Sequence, residues 1–226
     1  SGDLLDKCMG SAFALKDLEI ASIGLFGACS TMALSLSAGA MLVDGGINCV
    51  VCATSSHFCS SERQFRFPLE YGGQRPPTAQ WTVTGAGSSV VSNSGKGIKI
   101  KAVQIGTITD LGITDANNMG AAMAPAASRT ISTFLKDTKT SPSDYDLILT
   151  GDLGYTGTQL LYELLEKDHN IKLKGFHKDC GMLIYDLKKQ DVNSGGSGCG
   201  CSASVLCSHI MKQIDKGILK KVLFVA

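Results

Sequence analysis

The chain repeats parts of its own sequence, and this repetition limits the possible folds more than any other feature. Ser1-Gly2-Asp3-Leu4 returns as Thr150-Gly151-Asp152-Leu153, and Ala28-Cys29-Ser30-Thr31 returns as Gly200-Cys201-Ser202-Ala203. The spacing that relates Cys29 to Cys201 also relates three later pairs: Leu34 with Leu206, Gly45 with Gly217 and Val50 with Val222. Because the order of predicted elements repeats together with these residues, we predict two similar halves, residues 1–105 and 106–226.

The two copies differ at their outer ends. The second copy places a predicted helix (119–136) and a predicted strand (145–149) before its Gly-Asp-Leu motif, whereas the first copy begins at that motif. The first copy continues beyond the strand that contains Val50, whereas the second stops at Ala226 in the equivalent strand. We therefore expect the sequence to be an excerpt of a longer protein, with a fold that is incomplete at both termini.

Short β-branched runs bounded by glycine alternate with longer segments of helical periodicity. Strands are predicted at 20–26, 49–53, 83–91, 98–105, 145–149, 182–185 and 222–225. Helices are predicted at 30–43, 119–136, 156–167 and 202–216. Residues 58–81 contain three prolines and no sustained period, and are predicted to form a long ordered loop. This alternation is typical of an α/β fold with mostly parallel strands.

Charge and cysteine content narrow the function classes. With 21 Lys and Arg against 20 Asp and Glu, the net charge is +1, which argues against a nucleic-acid partner. Nine cysteines, an odd number without a recognisable secretory leader, are expected to be reduced thiols of an intracellular protein. The uncharged stretch 20–43 contains several glycines and serines, so we predict a strand, a turn and a buried helix there instead of a membrane span.

Cys29 is the strongest candidate site residue. It follows a predicted strand and a Gly27-Ala28 turn, and it opens the helix predicted at 30–43. The amides and the dipole of a first helical turn favour a thiolate at this position, and would equally favour a bound carboxylate. A buried cysteine that only fills space is the alternative, and the sequence leaves both open.

Six other cysteines and one histidine are candidate ligands for a metal ion or a small molecule. Cys49, Cys52 and Cys59 form one cluster in the sequence, and Cys199, Cys201 and Cys207 form another. Because strand residues three apart point to opposite faces, and no second zinc-like pair follows, we predict no metal site and no cofactor. His57 ends a predicted strand, where α/β folds collect ligands, although a hydrogen-bonded loop histidine explains it as well.

The segment 61–77 mixes Arg63, Arg66 and Arg75 with aromatic residues and glutamates. A structural loop tied by Arg–Glu pairs is the favoured interpretation. The alternative is a planar guanidinium clamp for a carboxylate ligand. Asp152 also lies at a predicted strand end, where most aspartates cap helices.

Long literal strings across the chain resemble a known family. They include Gly27-Ala28-Cys29-Ser30-Thr31, Glu62-Arg63-Gln64-Phe65-Arg66, the stretch 71–85, the stretch 118–127 and the stretch 190–203. The chain resembles the thiolase-like superfamily and, more closely, a family of stage V sporulation proteins of spore-forming bacteria. The resemblance implies an α/β fold with two duplicated halves in αβαβα layers.

The same resemblance implies a function. It suggests binding of dipicolinic acid and support of its uptake into the forespore, together with membrane proteins of the same operon, at the periphery of the forespore inner membrane. The resemblance does not decide between a monomer and a homodimer. Dipicolinate is a planar aromatic dianion, so its site needs cations or amides and a flat surface. The candidate ligand-binding residues are Cys29, His57, Arg63, Arg66, Arg75, Asp152 and Cys201.

Departures from the enzymes of this superfamily argue against catalysis. In thiolases and ketoacyl synthases the nucleophilic cysteine works with a histidine and with a second histidine or asparagine. Here the corresponding segments, 151–155 and 200–203, contain neither residue type. We therefore predict a non-catalytic binding protein; an acyltransferase of the thiolase or ketoacyl synthase type that uses Cys29 is the alternative.

Overall fold

The computed structural model describes residues 1–5, 8–65 and 72–226, with the backbone alone at Arg63. The strands are β1 (Gly2–Asp3), β2 (Cys49–Ser56), β3 (Trp81–Thr82), β4 (Gly85–Ser92), β5 (Leu147–Thr150), β6 (His177–Asp179), β7 (Gly196–Ser197) and β8 (Val222–Val225). The helices are α1 (Met9–Leu15), α2 (Thr31–Asp44), α3 (Phe58–Phe65), α4 (Met119–Asp137), α5 (Gly154–His169), α6 (Cys180–Leu183), α7 (Cys199–Val205) and α8 (Met211–Asp215). A π-helical turn, Leu206–Ile210, joins α7 to α8.

Two larger sheets reproduce the sequence repeat. In the first, β1 pairs in parallel with β2, and β4 pairs antiparallel with the other edge of β2. In the second, β5 pairs in parallel with both β6 and β8. In the first sheet, Gly2 lies opposite Thr54. In the second sheet, Thr150 lies opposite Val225, so the next residues along the two strands are Gly151 and Ala226. These two residues are the repeat counterparts of Gly2 and Thr54. The repeat therefore preserves strand register as well as residue identity.

Alternating side chains place the helices in layers. Leu147 and Leu149 of β5 face a core cluster that includes Met32 of α2 and Val205 of α7, while Ile148 faces a second cluster built from α4 and α5. In the first sheet, a Cβ on Gly2 would meet Thr31 of α2, whereas the neighbouring Asp3 accepts a hydrogen bond from the Ser11 N–H of α1. Among the described residues, the five layers therefore follow in this order: helix α1, the first sheet, helices α2 and α7, the second sheet, and helices α4 and α5.

The third sheet, β3 with β7, joins the two halves. Trp81 pairs with Gly196 and Thr82 with Ser197 in parallel register. The Gln80 amide donates to the Asp152 and Gly196 carbonyls at 2.7 and 3.0 Å, and the Gly200 N–H donates to Ser56 Oγ at 3.0 Å. Residues of both halves therefore meet at this junction.

Four local predictions were wrong. Residues 20–26 contribute one isolated bridge, between Leu25 and Gly2, and residues 98–105 pair with no described strand. The strand predicted at 182–185 begins inside α6, because the Asp179 side chain caps the Met182 N–H at 3.2 Å and starts a helix. The long loop predicted at 58–81 begins with the helix α3, whose buried Glu62 is held by tertiary hydrogen bonds to Arg75 and Thr82.

Helices α4 and α5 cross where both carry glycine. A Cβ on Gly157 would lie 2.9 Å from Gly120 Cα and 3.0 Å from the Gly120 carbonyl oxygen. Backbone atoms cannot move aside as a flexible side chain can. The two glycines therefore set the distance between the helices.

Candidate functional site

Cys29 lies in a tight elbow at the N-terminus of α2. One 3₁₀ turn, Ala28–Ser30, precedes the helix, and Ala28 adopts a left-handed φ of 48°. Ser30 Oγ donates to the Gly27 carbonyl and Thr31 Oγ1 donates to the Ala28 carbonyl, each at 2.7 Å. These side-chain bonds hold the elbow, so the sequence signal for a turn before the helix is confirmed.

A small cavity of about 20 Å³ lies beside Cys29. Its described lining comes from both halves: Leu4, Ala28, Cys29, Phe65, Thr82, Met119 and Ser197. A cavity of this size has room for about one water molecule, which needs roughly 10–15 Å³ by this measure. A ring-sized ligand therefore needs one wall of this cavity to move.

The second half contributes a serine and a carboxylate to this site. Ser197 Oγ lies 4.0 Å from Cys29 Sγ and donates to Asp152 Oδ2 at 3.1 Å. Asp152 is buried, and the Gly198 N–H donates to the same oxygen at 2.7 Å. Two of the predicted site residues, Cys29 and Asp152, are thus linked through Ser197, which the sequence did not single out.

The wall at β3 rests on a buried ion pair. Arg75 donates to Glu62 Oε2 at 2.7 Å, and the Thr82 N–H donates to Glu62 Oε1 at 3.2 Å. The Arg75 guanidinium also lies 4.1 Å from the Trp81 ring centroid, and Trp81 stacks on Phe58 at 5.4 Å. Thr82 and Phe65, both in the cavity wall, are therefore tied to the Glu62–Arg75 pair.

The remaining predicted residues do not join Cys29. His57 is exposed at the end of β2, and Arg75 is committed to Glu62, the kind of Arg–Glu tie favoured from the sequence. Cys201 is fully buried among the side chains of the first core cluster, and burial raises the pKa of its thiol well above the usual value. Its side chain therefore packs in the core instead of facing the cavity. Arg66 and the Arg63 side chain lie outside the described residues.

Several lining residues had little or no sequence signal. Ser197 lies in a glycine-rich run in which only the cysteines were candidate ligands, and Phe65 lies in a segment predicted as a loop. Glu62 had a signal, because an acidic residue among three arginines favours an internal ion pair. Thr82 and Met119 carry no distinctive pattern, and their roles follow from the fold.

The family model for stage V sporulation protein AD (SpoVAD) matches residues 1–226. The chain is also 46% identical over 228 residues to stage V sporulation protein AD of Bacillus subtilis (strain 168), covering all of this chain and 67% of that protein. The chain belongs to the SpoVAD family. The family resemblance expected from the sequence is thereby confirmed.

Solved structures show the fold that this SpoVAD-family chain shares. A 3-oxoacyl-[acyl-carrier-protein] synthase III from Aquifex aeolicus VF5 matches with a TM-score of 0.56 at 14% identity, covering 99% of this chain and 70% of that one. The tetronic acid condensing enzyme AbyA1 matches with a TM-score of 0.53 at 14% identity, covering 96% and 68%. A synthase III (FabH) from Thermus thermophilus gives 0.53 at 12% identity, covering 96% and 67%. The predicted thiolase-like α/β fold is confirmed.

A larger open groove, of about 800 Å³, lies away from the elbow on the SpoVAD-family fold. It runs between α1, the strands β2 and β4, and the π-helical turn, and Lys212 contributes a cation. None of the predicted site residues is among the residues that line it: Ser1, Gly2, Gly10, Ser11, Ala14, Leu15, Ala53, Thr54, Ser55, Ala86, Gly87, Ser88, Ser204, Cys207, Ser208 and Lys212.

Among the residues that the structure describes, no group of three or more His, Cys, Asp or Glu side chains could hold a metal ion. Outside the gaps at 6–7 and 66–71, no helix combines the length and apolar character that crossing a bilayer requires.

A second buried polar cluster connects β5, β6 and α5. Asp179 is fully buried and accepts hydrogen bonds from Thr150 Oγ1 and from the Leu153, Gly154 and Met182 N–H groups, at 2.7 to 3.2 Å. Burial raises the pKa of Asp179 to about 6, with a further contribution from Asp152. Because the Thr150 hydroxyl donates to Asp179, its oxygen accepts from His177 Nε2, at 2.8 Å.

His177 completes this cluster. Its Nδ1 lies 3.0 Å from the Tyr162 hydroxyl, which donates to it, and burial lowers the pKa of His177 to about 4. An unfolded chain therefore takes up a proton at His177 below about pH 6.5, while the folded chain stays neutral down to about pH 4, so stability is lost as the pH falls through this window. The raised pKa of Asp179 acts oppositely, since stability from its proton is lost as the pH rises from about 3.8 to 6.

Replacing His177 should remove its contribution to the pH dependence of stability and leave that of Asp179. When the pH is lowered from about 7 to about 4.5, the unfolding free energy of His177→Gln should fall by roughly 2–3 kcal/mol less than that of the unmodified chain. The reason is that the variant has no His177 whose unfolded form takes up a proton in this range. Urea titrations at both pH values measure this difference. His209→Gln, at an exposed histidine, is the matched control and should show no comparable change. An equal pH response of both variants would contradict the assignment.

Proposed function

We propose that this chain is a non-catalytic, thiolase-like sporulation protein that binds dipicolinic acid at the Cys29 cavity and supports its uptake into the forespore. One observation carries the proposal. The cavity lies at the N-terminus of a 14-residue helix, yet no histidine or asparagine is found among its described lining residues. A helix N-terminus attracts an anion, while the cysteine enzymes of this fold use a histidine together with a second histidine or an asparagine for acyl transfer.

The chemistry of the lining suits one carboxylate of a planar ligand. The N-terminus of α2 favours a bound carboxylate, and the Phe65 ring supplies a flat apolar surface. Cationic charge for the second carboxylate is assigned to Arg63 and Arg66. Arg75 is not assigned to the ligand, because its guanidinium is already paired with the fully buried Glu62 carboxylate at 2.7 Å and breaking a buried pair is costly.

The cellular role extends this proposal. The dipicolinate-bound protein would work with membrane proteins of the same operon at the periphery of the forespore inner membrane, as a monomer or a homodimer. Membership of the SpoVAD family, whose model carries a sporulation name, supports this role. Co-purification with those membrane proteins from sporulating cells would test it.

A Cys-dependent acyltransferase is the second candidate, and the fold shared with synthase III enzymes favours it. Incubation of the chain with acyl-CoA, followed by intact-mass spectrometry, separates the two candidates. We expect no adduct. A stable acyl adduct at Cys29 would replace the binding proposal with catalysis.

Isothermal titration calorimetry with dipicolinate tests the binding proposal directly. Cys29→Phe should weaken binding by at least about tenfold, because the new ring fills the cavity and displaces the ligand, a change of about 1.4 kcal/mol or more. Cys49→Phe is the matched control, since Cys49 is exposed at the start of β2, and it should leave the affinity unchanged. Charge reversal at Arg63 or Arg66 should also lower the affinity.

Two results would contradict the proposal. Absence of dipicolinate binding to the unmodified chain would remove the ligand assignment. Binding that Cys29→Phe leaves unchanged would move the site elsewhere, with the groove around Lys212 as the next location to test.

A further inference from the structure

We infer that α3 is a gate over the Cys29 cavity, and that the Glu62–Arg75 ion pair is the latch that holds it closed. The inference concerns access to the site and rests on the proposed function only for the identity of the ligand. Its starting observation is the mismatch between a cavity of about 20 Å³ and any ligand larger than water.

The cavity walls differ in how firmly they are held. Ser197 and Thr82 belong to the paired strands β3 and β7, and Met119 begins the 19-residue helix α4. Phe65, by contrast, ends α3, an eight-residue helix. Between its two end residues, Phe58 and Phe65, this helix carries Cys59, Ser60, Ser61, Glu62, Arg63 and Gln64.

Little apolar burial therefore holds α3 in place. A short helix with polar residues between its two aromatic ends lies at the low end of local stability, because few apolar contacts must be broken to displace it. Of the walls around Cys29, the one formed by Phe65 therefore requires the least free energy to displace.

The contacts that do hold α3 are polar and specific. Glu62 is fully buried and receives both the Arg75 guanidinium and the Thr82 N–H. The Phe58 N–H at the start of the helix donates to Thr84 Oγ1 at 3.0 Å, and the Phe58 ring stacks on Trp81. These bonds tie the helix to β3 near both its start and its middle.

Opening this gate does not strand a charge. If α3 moves outward, Glu62 moves with it into water, while Arg75 keeps its position against the face of Trp81, 4.1 Å from the ring centroid. Neither ionised group is then left buried without solvent. The latch is strong only in the closed position, which is the property a reversible gate requires.

Thiol alkylation measures this gate without any ligand. In the unmodified chain, iodoacetamide should modify the exposed Cys49 and Cys59 quickly and Cys29 slowly, with Cys201 protected in the core. Phe65→Ala removes the wall, and Arg75→Met releases the latch. Each should raise the rate at Cys29 at least about tenfold, a change of about 1.4 kcal/mol in access, while the rate at Cys49 stays constant.

Cys201 distinguishes gating from unfolding within the same sample. If Arg75→Met also exposes Cys201, the helix and the core have loosened together, and Phe65→Ala alone decides the question. An unchanged Cys29 rate in Phe65→Ala, with Cys201 still protected, would overturn the gate. Dipicolinate calorimetry is independent of this readout, so a gate can be present in a chain that fails to bind dipicolinate, and the two failures remain distinguishable.

Discussion

Replacing Arg75 by methionine should lower the unfolding free energy of the chain by about 3–5 kcal/mol. Methionine keeps most of the length and apolar character of the side chain, but it removes the cation 2.7 Å from Glu62 Oε2. Glu62 has no solvent exposure in its side chain, so as long as α3 stays closed its charge would be buried without the Arg75 cation. Urea denaturation measures the loss.

The double variant Glu62→Gln with Arg75→Met separates charge burial from packing. A glutamine at position 62 still accepts the Thr82 N–H and carries no charge, so the double variant should recover most of the lost stability. The exposed pair Lys172 and Glu166, 3.7 Å apart, supplies the control, since Lys172→Met should cost less than about 1 kcal/mol. Equal losses in the single and double variants would show that packing against Trp81, and not the charge on Glu62, sets the energy.

Gly157→Val should lower the unfolding free energy by about 3 kcal/mol. The new side chain would collide with backbone atoms of Gly120, so α4 and α5 must separate and weaken the contacts of Ile131, Leu161 and Leu165. Calorimetric or denaturant unfolding measures the effect. Gly157→Ala should cost less, because the better helix propensity of alanine offsets part of the collision.

Ala122 provides the matched control on α4, because it is an exposed residue of the same helix. Ala122→Val should cost about 0.5 kcal/mol through helix propensity alone. If Gly157→Val were as mild as this control, the glycine contact would not set the separation of the two helices.

The repeat in the sequence predicted the duplicated architecture because it combines periodicity, turn residues and register. Val50 and Val222 lie in equivalent parallel strands, and the helices that precede them lie in the same central layer. Such features are local in sequence, so they can be recognised without knowledge of long-range contacts. The strand at 98–105 was wrong because alternation of apolar and basic residues indicates a strand surface, whereas pairing depends on a free sheet edge elsewhere in the chain.

The site was harder to predict, and Cys201 shows why. The repeat aligns Cys201 with Cys29, but α7 begins at Cys199 whereas α2 begins at Thr31. Cys201 therefore lies inside its helix and faces the core, while Cys29 lies before its helix and faces the cavity. A shift of a few residues in a helix start changes which side a residue faces, and no local pattern in the sequence records that shift.

Glu62 and Ser197 show the second limit. Each acts across the junction of β3 and β7, where partners are separated by tens to more than a hundred residues in the chain. The sequence favoured an Arg–Glu pair in the segment that contains Glu62, whereas it did not single out Ser197. Their partners were fixed only by the fold.

Trp81 has a consequence for how this protein can be observed. It is the chain's one tryptophan, and at the seam between the halves its ring stacks on Phe58 and also contacts the Arg75 guanidinium. Intrinsic tryptophan fluorescence therefore reports on that seam, whereas far-ultraviolet circular dichroism is dominated by long helices such as α4 and α5. Coincident transitions from both signals would mean that the two halves unfold as one cooperative unit, and an earlier fluorescence change would mean that the seam separates first.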